Sequence, residues 1–310
     1  MMNRESVDWR GPMVAVITPF DRDGNIDEAN FSSNVRRMFD NRATGVVVGG
    51  CTGEFWALSH DERCQLFQLG VRSAEGRGTV IVGTGAITAE ETIQLTLEAE
   101  QAGCNGALIL PPYFVKLTED QIFHHYENIS AATNIPIMLY NIPGNAVNAI
   151  TPALAARLAD LDRVVAIKES SGDWNNFYST LVMVKDNIRV FCGPSSLFGA
   201  PAVSLGADGT IDCFPNIWAP GGMDLYYSTL EGRTAESQDL QATGQKLTEL
   251  FTSGGRSLYP ATKAAMDLLG YFGGNPRSPL MPLKGQALEE LQNGLVTLGI
   301  LNQKQKPMPK

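Results

Sequence analysis

The chain has 310 residues, 44% of them hydrophobic, and a formal net charge of −9. This length and apolar content are enough for one large core, and an acidic chain disfavours nucleic acid, whose phosphates attract Lys and Arg. Segment 1–11 lacks the apolar core of a signal peptide, and no apolar run approaches membrane-spanning length. We therefore expect no membrane association and a cytoplasmic location.

Apolar runs of strand length alternate with segments of helical spacing along most of the chain. The runs lie at 14–17, 45–50, 79–83, 106–110, 135–140, 164–167, 188–192 and 209–214. Helix starts are predicted at Ser59, Thr88, Thr118 and Thr151. The first three carry Glu or Gln three residues on, which is typical of a capping box, and Pro152 follows Thr151.

Eight such units predict an α/β fold, a closed (β/α)₈ TIM barrel with a parallel sheet covered by helices. The rival, a doubly wound open sheet, would carry a GxGxxG dinucleotide loop after the first strand, where this chain has Thr18-Pro19-Phe20. We assign 1–218 to the barrel strands and helices. Segment 219–302 holds the last barrel helix and a C-terminal helical extension of the same unit, and 303–310 is a polar tail.

The cysteines and histidines do not suggest a metal centre. The five cysteines are widely spaced without a CxxC pair, which favours reduced thiols. His124 and His125 are adjacent, and adjacent residues do not share a helix face. We expect neither a metal ion nor an organic cofactor.

Lys168 directly follows the sixth apolar run. Partial burial there would disfavour its charged form, and a neutral amine attacks carbonyl groups to form Schiff bases. Tyr140 ends the neighbouring fifth run and could carry protons to and from the substrate. The simpler alternatives are a lysine that reaches solvent and a core phenol bonded to backbone.

Gly50, Cys51 and Thr52 follow the second strand in a loop with little side-chain bulk. Backbone N–H groups of such a loop can bind an anion such as a carboxylate, and the Thr52 hydroxyl adds a donor. The alternative is an ordinary strand-to-helix turn.

Four motifs together resemble the dihydrodipicolinate synthase / N-acetylneuraminate lyase family over about 11–283. They are Gly50-Cys51-Thr52-Gly53-Glu54, Tyr140-Asn141-Ile142-Pro143, Ile167-Lys168-Glu169-Ser170-Ser171-Gly172-Asp173 and Gly206-Ala207-Asp208-Gly209. The resemblance implies a (β/α)₈ barrel, a class I aldolase-type mechanism and usually a homotetramer built as a dimer of dimers. It implies that Lys168 forms an imine with pyruvate or another 2-oxo acid, that Thr52 and its loop hold the carboxylate, and that Tyr140 moves the protons.

Three positions depart from the family's pattern. The family commonly has Thr or Ser where this chain has Cys51, and a Tyr from a neighbouring subunit where it has Phe114. Dihydrodipicolinate synthases use an Arg where it has Asn145. Phe cannot carry a proton and Cys is a weak donor.

From these departures we expect a Schiff-base lyase for retro-aldol cleavage or dehydration of a deoxy-2-oxo sugar acid. Gly193, Ile211 and Asn145 would line the distal pocket. One alternative is dihydrodipicolinate synthase itself, which condenses pyruvate with aspartate semialdehyde. Another is a non-catalytic protein that binds 2-oxo acids.

Overall fold

The computed structural model of the chain describes residues 2–302 and contains a closed barrel of eight parallel strands. The strands are β1 (Gly11–Ala15), β2 (Gly45–Val48), β3 (Thr79–Gly83), β4 (Gly106–Ile109), β5 (Ile137–Asn141), β6 (Val164–Glu169), β7 (Arg189–Cys192) and β8 (Gly209–Asp212). Each strand pairs with the next, and β8 closes the ring on β1 with Gly11 opposite Gly209. The predicted (β/α)₈ fold is confirmed.

Helices connect the strands and continue beyond β8. They are α1 (Glu28–Asp40), α2 (His60–Ala74), α3 (Ala89–Gln101), α4 (Glu119–Ala132), α5 (Pro143–Ala146), α6 (Pro152–Leu158), α7 (Trp174–Val184), α8 (Ser195–Ser204), α9 (Pro215–Leu230), α10 (Thr234–Thr252), α11 (Leu258–Leu268) and α12 (Gly285–Thr297). Ser59 and Thr118 form the predicted capping boxes. Thr88 accepts the Glu91 N–H as an N-cap, but the reciprocal bond from the Glu91 side chain is not formed.

The strands have apolar side chains on both faces, as expected of a sheet buried on both sides. One cluster fills the barrel and includes Met13, Ile81 and Phe191. Their chain neighbours Val14, Val82 and Val190 belong to a second cluster, packed between the sheet and the helices. This alternation directs the side chains at strand ends either into the barrel mouth or towards the helices.

A third cluster joins the C-terminal helices to the barrel. Phe251 of α10, Met266 of α11 and Leu291 of α12 pack with Ile17 and Phe214, which follow β1 and β8. This contact explains why the first strand is shifted from the predicted 14–17 to Gly11–Ala15. Ile17 is apolar because the extension buries it, although it lies outside the sheet.

The C-terminal part of the chain begins within a kinked helix. Position 218 lies inside α9, where Trp218 has non-helical φ and ψ of −137° and 52° and kinks the helix. Beyond α9, the predicted helical extension consists of α10, α11 and α12. A long connection without helix, from 269 to 284, separates α11 from α12. The predicted tail at 303–310 lies outside the described residues.

Candidate active site

Lys168 lies near the carboxyl end of β6, directly opposite Tyr140 in the β5–β6 register. Its side chain is buried, with 6% exposure, and its Nζ lies 4.3 Å from the centroid of the Tyr140 ring. Within residues 2–302 no carboxylate lies at ion-pairing distance from this amine. Burial lowers the pKa of Lys168, and the nearby Cys51 and Asp212 only oppose that effect. The lysine therefore does not reach solvent, which was the simpler alternative.

Tyr140 is buried beside this amine, with 4% exposure. Its hydroxyl is hydrogen-bonded to the Cys51 thiol, and burial, reinforced by Cys51, raises the pKa of the phenol well above its usual value. No backbone acceptor for this hydroxyl is present among residues 2–302. The phenol is therefore neutral at physiological pH and can both give and receive a proton.

The loop after β2 packs against β1 and forms two tight turns. Gly53 N–H donates to Gly50 O at 3.0 Å, Glu54 N–H to Cys51 O at 3.0 Å, and the Thr18 hydroxyl to Gly53 O at 2.7 Å. Thr52 is buried, and in the described part of the chain neither its amide nor that of Gly50 has a hydrogen-bond acceptor. These donors can bind an anion at the mouth of the barrel.

The Cys51 thiol lies between two phenols. Burial raises its pKa, and hydrogen bonds with Tyr140 and Tyr259 and the charge of Lys168 offset this only in part. The thiol is therefore neutral at physiological pH, because the positive charge of Lys168 does not outweigh the effect of burial, and it lacks the low pKa of a reactive thiol.

A buried ion pair with the C-terminal extension fixes the loop that follows β2. Glu54, with φ +58°, directs Oε1 to Lys263 Nζ of α11 at 2.5 Å, and the Arg277 N–H donates to its Oε2 at 2.9 Å. Both side chains of the pair are at most 1% exposed. The sequence reasoning did not identify Lys263, because it lies far along the chain from every strand end.

Phe114 and Asn145 lie on the exposed side of the site. Phe114 has φ +73° and is 85% exposed, so within one chain it does not join the buried group around Lys168. Asn145 is exposed, and its amide donates a hydrogen bond to the Tyr259 oxygen.

Gly193 directly follows β7 and Ile211 is the last residue but one of β8, and the two lie in different environments. A Cβ on Gly193 would lie 1.7 Å from Ser170 Oγ, so the glycine is required by the packing of Ser170. Ile211 is fully buried in the barrel interior with Tyr140 and Phe191.

Two further residues contact this site without having been predicted. Tyr259, in the first turn of α11, bonds to the Cys51 thiol. Asp212 ends β8 and accepts hydrogen bonds from Ser195 Oγ at 2.8 Å and from the Ser196 N–H at 2.9 Å. Asp212 could have been predicted from the sequence, since it is the last residue of a strand. Tyr259 could not, because nothing in the sequence pattern connects α11 with the loop after β2.

Two features are absent from the residues that the structure describes. Across residues 2–302, no three or more His, Cys, Asp or Glu side chains are grouped so as to hold a metal ion. No helix in this range is long and apolar enough to cross a membrane.

Comparison with known proteins agrees with the motifs. Residues 8–297 match the model of the "Dihydrodipicolinate synthetase family". The chain is 34% identical over 271 residues to 4-hydroxy-tetrahydrodipicolinate synthase of Bacillus subtilis, covering 87% of this chain and 92% of the relative. It is 33% identical over 299 residues to the enzyme of the same name from Methanococcoides burtonii, covering 94% and 99%.

Solved structures lead to the same family. The chloride-inhibited dihydrodipicolinate synthase of Acinetobacter baumannii, complexed with pyruvate, superposes with a TM-score of 0.88 at 29% identity, covering 94% of this chain and 99% of that one. The prophage protein YagE of Escherichia coli K12, also in complex with pyruvate, gives 0.89 at 26% identity, with 95% and 100% covered.

The fold, the motifs and these matches extend over nearly the whole chain. The predicted family is therefore confirmed, and with it an enzyme of the lyase class that acts on a small molecule. This chain belongs to the dihydrodipicolinate synthetase family.

Proposed function

We propose that the protein is a pyruvate-dependent aldolase in which Lys168 forms the imine. One observation carries this proposal: a buried lysine without a carboxylate partner lies beside a buried neutral tyrosine at the mouth of a (β/α)₈ barrel. Burial keeps a fraction of such an amine uncharged, and the uncharged form is the nucleophile. Two solved relatives are described as bound to pyruvate.

Each residue around the amine has a role in this chemistry. Thr52 and the free N–H of Gly50 bind the pyruvate carboxylate. Lys168 Nζ adds to C2, Tyr140 protonates the oxygen that departs as water, and an imine remains. Loss of a methyl proton from the imine then gives the enamine, which is the carbon nucleophile of an aldol reaction.

For the second substrate, the relatives favour the alternative over our first expectation. The relatives from Bacillus subtilis and Methanococcoides burtonii are named 4-hydroxy-tetrahydrodipicolinate synthase, and this chain is 34% and 33% identical to them. We therefore propose condensation of pyruvate with aspartate semialdehyde as the leading candidate. A non-catalytic binding protein is not favoured, because these relatives are named as enzymes.

One observation keeps cleavage or dehydration of a deoxy-2-oxo sugar acid as the second candidate. Asn145 is neutral, and its amide is bonded to Tyr259. It provides no charge to pair with the carboxylate of a semialdehyde.

The two candidates are separated by assaying the enzyme and Asn145→Arg side by side. Pyruvate is supplied with aspartate semialdehyde, and in parallel a panel of deoxy-2-oxo sugar acids is followed for release of pyruvate or loss of hydroxyl. The leading candidate predicts condensation in the unmodified enzyme and a lower KM for the semialdehyde in Asn145→Arg. Turnover of a sugar acid without condensation would replace it with the second candidate.

We also propose a homotetramer in the cytoplasm. The exposed apolar side chains include two groups that lie on different elements. Phe114, Val115 and Val147 lie near the barrel mouth, and Tyr178, Val182 and Met183 lie on α7. A dimer of dimers needs two such surfaces on each chain, and five free cysteines suit a reducing compartment.

One solved relative is described as a monomeric variant, so the oligomeric state of this chain has to be measured. Light scattering should give a tetramer, and the double change Val182→Asp, Met183→Asp should give smaller, folded species. A monomeric unmodified protein would refute this assembly.

A further inference from the structure

The C-terminal extension contributes a side chain to the barrel mouth. Tyr259 lies in the first turn of α11, and its ring packs on Trp56 with centroids 5.3 Å apart. Trp56 in turn meets Phe55 edge-on at 5.8 Å, and Tyr259 also packs against the interior cluster that contains Cys51 and Tyr140. The phenol is thereby held over the loop that follows β2.

Hydrogen bonds connect this phenol to Tyr140 through one thiol. The Tyr140 and Tyr259 hydroxyls both hydrogen-bond with Cys51, and the Asn145 amide donates to the Tyr259 oxygen. Asn145 is thus a positioning residue for Tyr259. Cys51 and Tyr140 are 6% and 4% exposed, whereas Tyr259 is partly exposed. Within this chain of groups, Tyr259 is the member that reaches solvent.

We propose that Tyr259 is the outer end of a proton relay that runs from Tyr140 through Cys51 to water within a single chain. This inference rests on the proposed imine chemistry. That chemistry moves a proton at the formation of the imine and another at the formation of the enamine, and Tyr140 is too deeply buried to exchange either directly with water.

The transfer conserves protons and charge. When the Tyr140 oxygen takes the methyl proton of the imine, its own proton passes to Cys51 Sγ. The thiol proton passes to the Tyr259 oxygen, and the Tyr259 proton passes to water. Each group gains one proton and gives one, so none of them has to become charged. Burial raises the pKa of all three groups, which favours this coupled transfer over a route through phenolate or thiolate.

This relay does not need a hydroxyl at position 114. Phe114 carries none, and its side chain is 85% exposed. The relay lies in one subunit whatever the assembly of the protein.

The competing explanation is that Tyr259 only packs on Trp56. Tyr259→Phe separates the two explanations, because it keeps the ring and removes the hydroxyl. Tyr271→Phe is the matched control, since Tyr271 is an exposed tyrosine in the connection between α11 and α12.

The measurement is deuterium exchange into the methyl group of pyruvate in heavy water, followed by NMR for the full-length protein without a second substrate. Exchange reports enamine formation directly. We expect Tyr259→Phe to slow it at least about 10-fold, since a positioned acid or base contributes about 10²–10⁴-fold. Tyr271→Phe should exchange at the unmodified rate, and borohydride trapping of pyruvate on Tyr259→Phe should still reach completion.

A second variant tests the order of the relay. Cys51→Ala removes its central member, so adding Tyr259→Phe to it should cause little further loss, because residues in one network are not additive. Unchanged exchange in Tyr259→Phe, or fully additive losses in the double variant, would overturn the relay. Absence of both exchange and adduct in the unmodified protein would instead refute the proposed imine chemistry.

Discussion

Glu54 and Lys263 form an ion pair of 2.5 Å between the loop after β2 and helix α11, with both side chains completely buried. Lys263 Nζ also donates to Asn275 O at 3.2 Å and lies 4.3 Å from the Phe20 ring centroid. The pair fixes the proposed carboxylate loop and Tyr259, which is on the same helix, relative to each other. The extension is therefore part of the candidate site.

Removing one partner of this pair should destabilise the protein strongly. Lys263→Met leaves Glu54 buried without its cation, and breaking such a pair costs about 3–5 kcal/mol. Urea unfolding measures the loss, and Lys185→Met, at an exposed lysine, should change stability by less than about 0.5 kcal/mol. The double variant Glu54→Met, Lys263→Met should recover much of the loss. A single variant as stable as the parent would show that the pair does not hold the loop.

Thr52→Val should weaken the binding of pyruvate. The change keeps the shape of the side chain and removes the hydroxyl, and a hydrogen bond to a charged group contributes about 1.5–3 kcal/mol. We expect the KM for pyruvate to rise about 10-fold or more, with a smaller effect on kcat. Steady-state kinetics measure both, and Thr252→Val on the surface of α10 is the control. An unchanged KM would remove Thr52 from the carboxylate site.

His125 should make stability fall in acid. Its ring is 7% exposed, and burial lowers the pKa of His125 from 6.5 to about 4. Between these two values the unfolded chain binds the extra proton and the folded chain does not. Stability is therefore complete above about pH 6.5 and declines as the pH falls towards 4, by about 3 kcal/mol.

The comparison variant for this effect is His125→Leu, with His124→Leu at the exposed neighbouring position as control. Urea unfolding at pH 7 and at pH 4 should show a smaller acid loss for His125→Leu than for the parent, and an unaltered loss for His124→Leu. Equal acid losses in all three proteins would contradict the assignment to His125.

The site lysine should lower stability at neutral pH. Burial lowers the pKa of Lys168, so the folded chain binds fewer protons than the unfolded chain, and stability rises with pH towards 10.5. Lys168→Met should therefore be inactive but more stable than the parent at pH 7, by about 0.5–2 kcal/mol. Thermal unfolding should show this advantage shrinking between pH 7 and pH 10. A less stable variant at pH 7 would mean that the amine is better solvated than its burial indicates.

The barrel could be predicted because each strand is a local signal: a short apolar run, a turn and a capped helix. Lys168, Tyr140, Cys51 and Thr52 could be grouped for the same reason, since carboxyl ends of parallel strands meet on one face. Lys263 and Tyr259 could not, because α11 reaches the barrel mouth through tertiary packing that has no sequence period. The shift of β1 has the same origin, since Ile17 is buried by the extension and not by the sheet.

The most direct test of the central proposal is borohydride reduction with pyruvate, followed by peptide mass spectrometry. We expect one reduced pyruvyl group per chain on Lys168, none on Lys263, and no modification of Lys168→Met. Absence of the adduct from Lys168, or its appearance at another lysine in the Lys168→Met protein with activity retained, would contradict the assignment of Lys168 as the imine-forming residue.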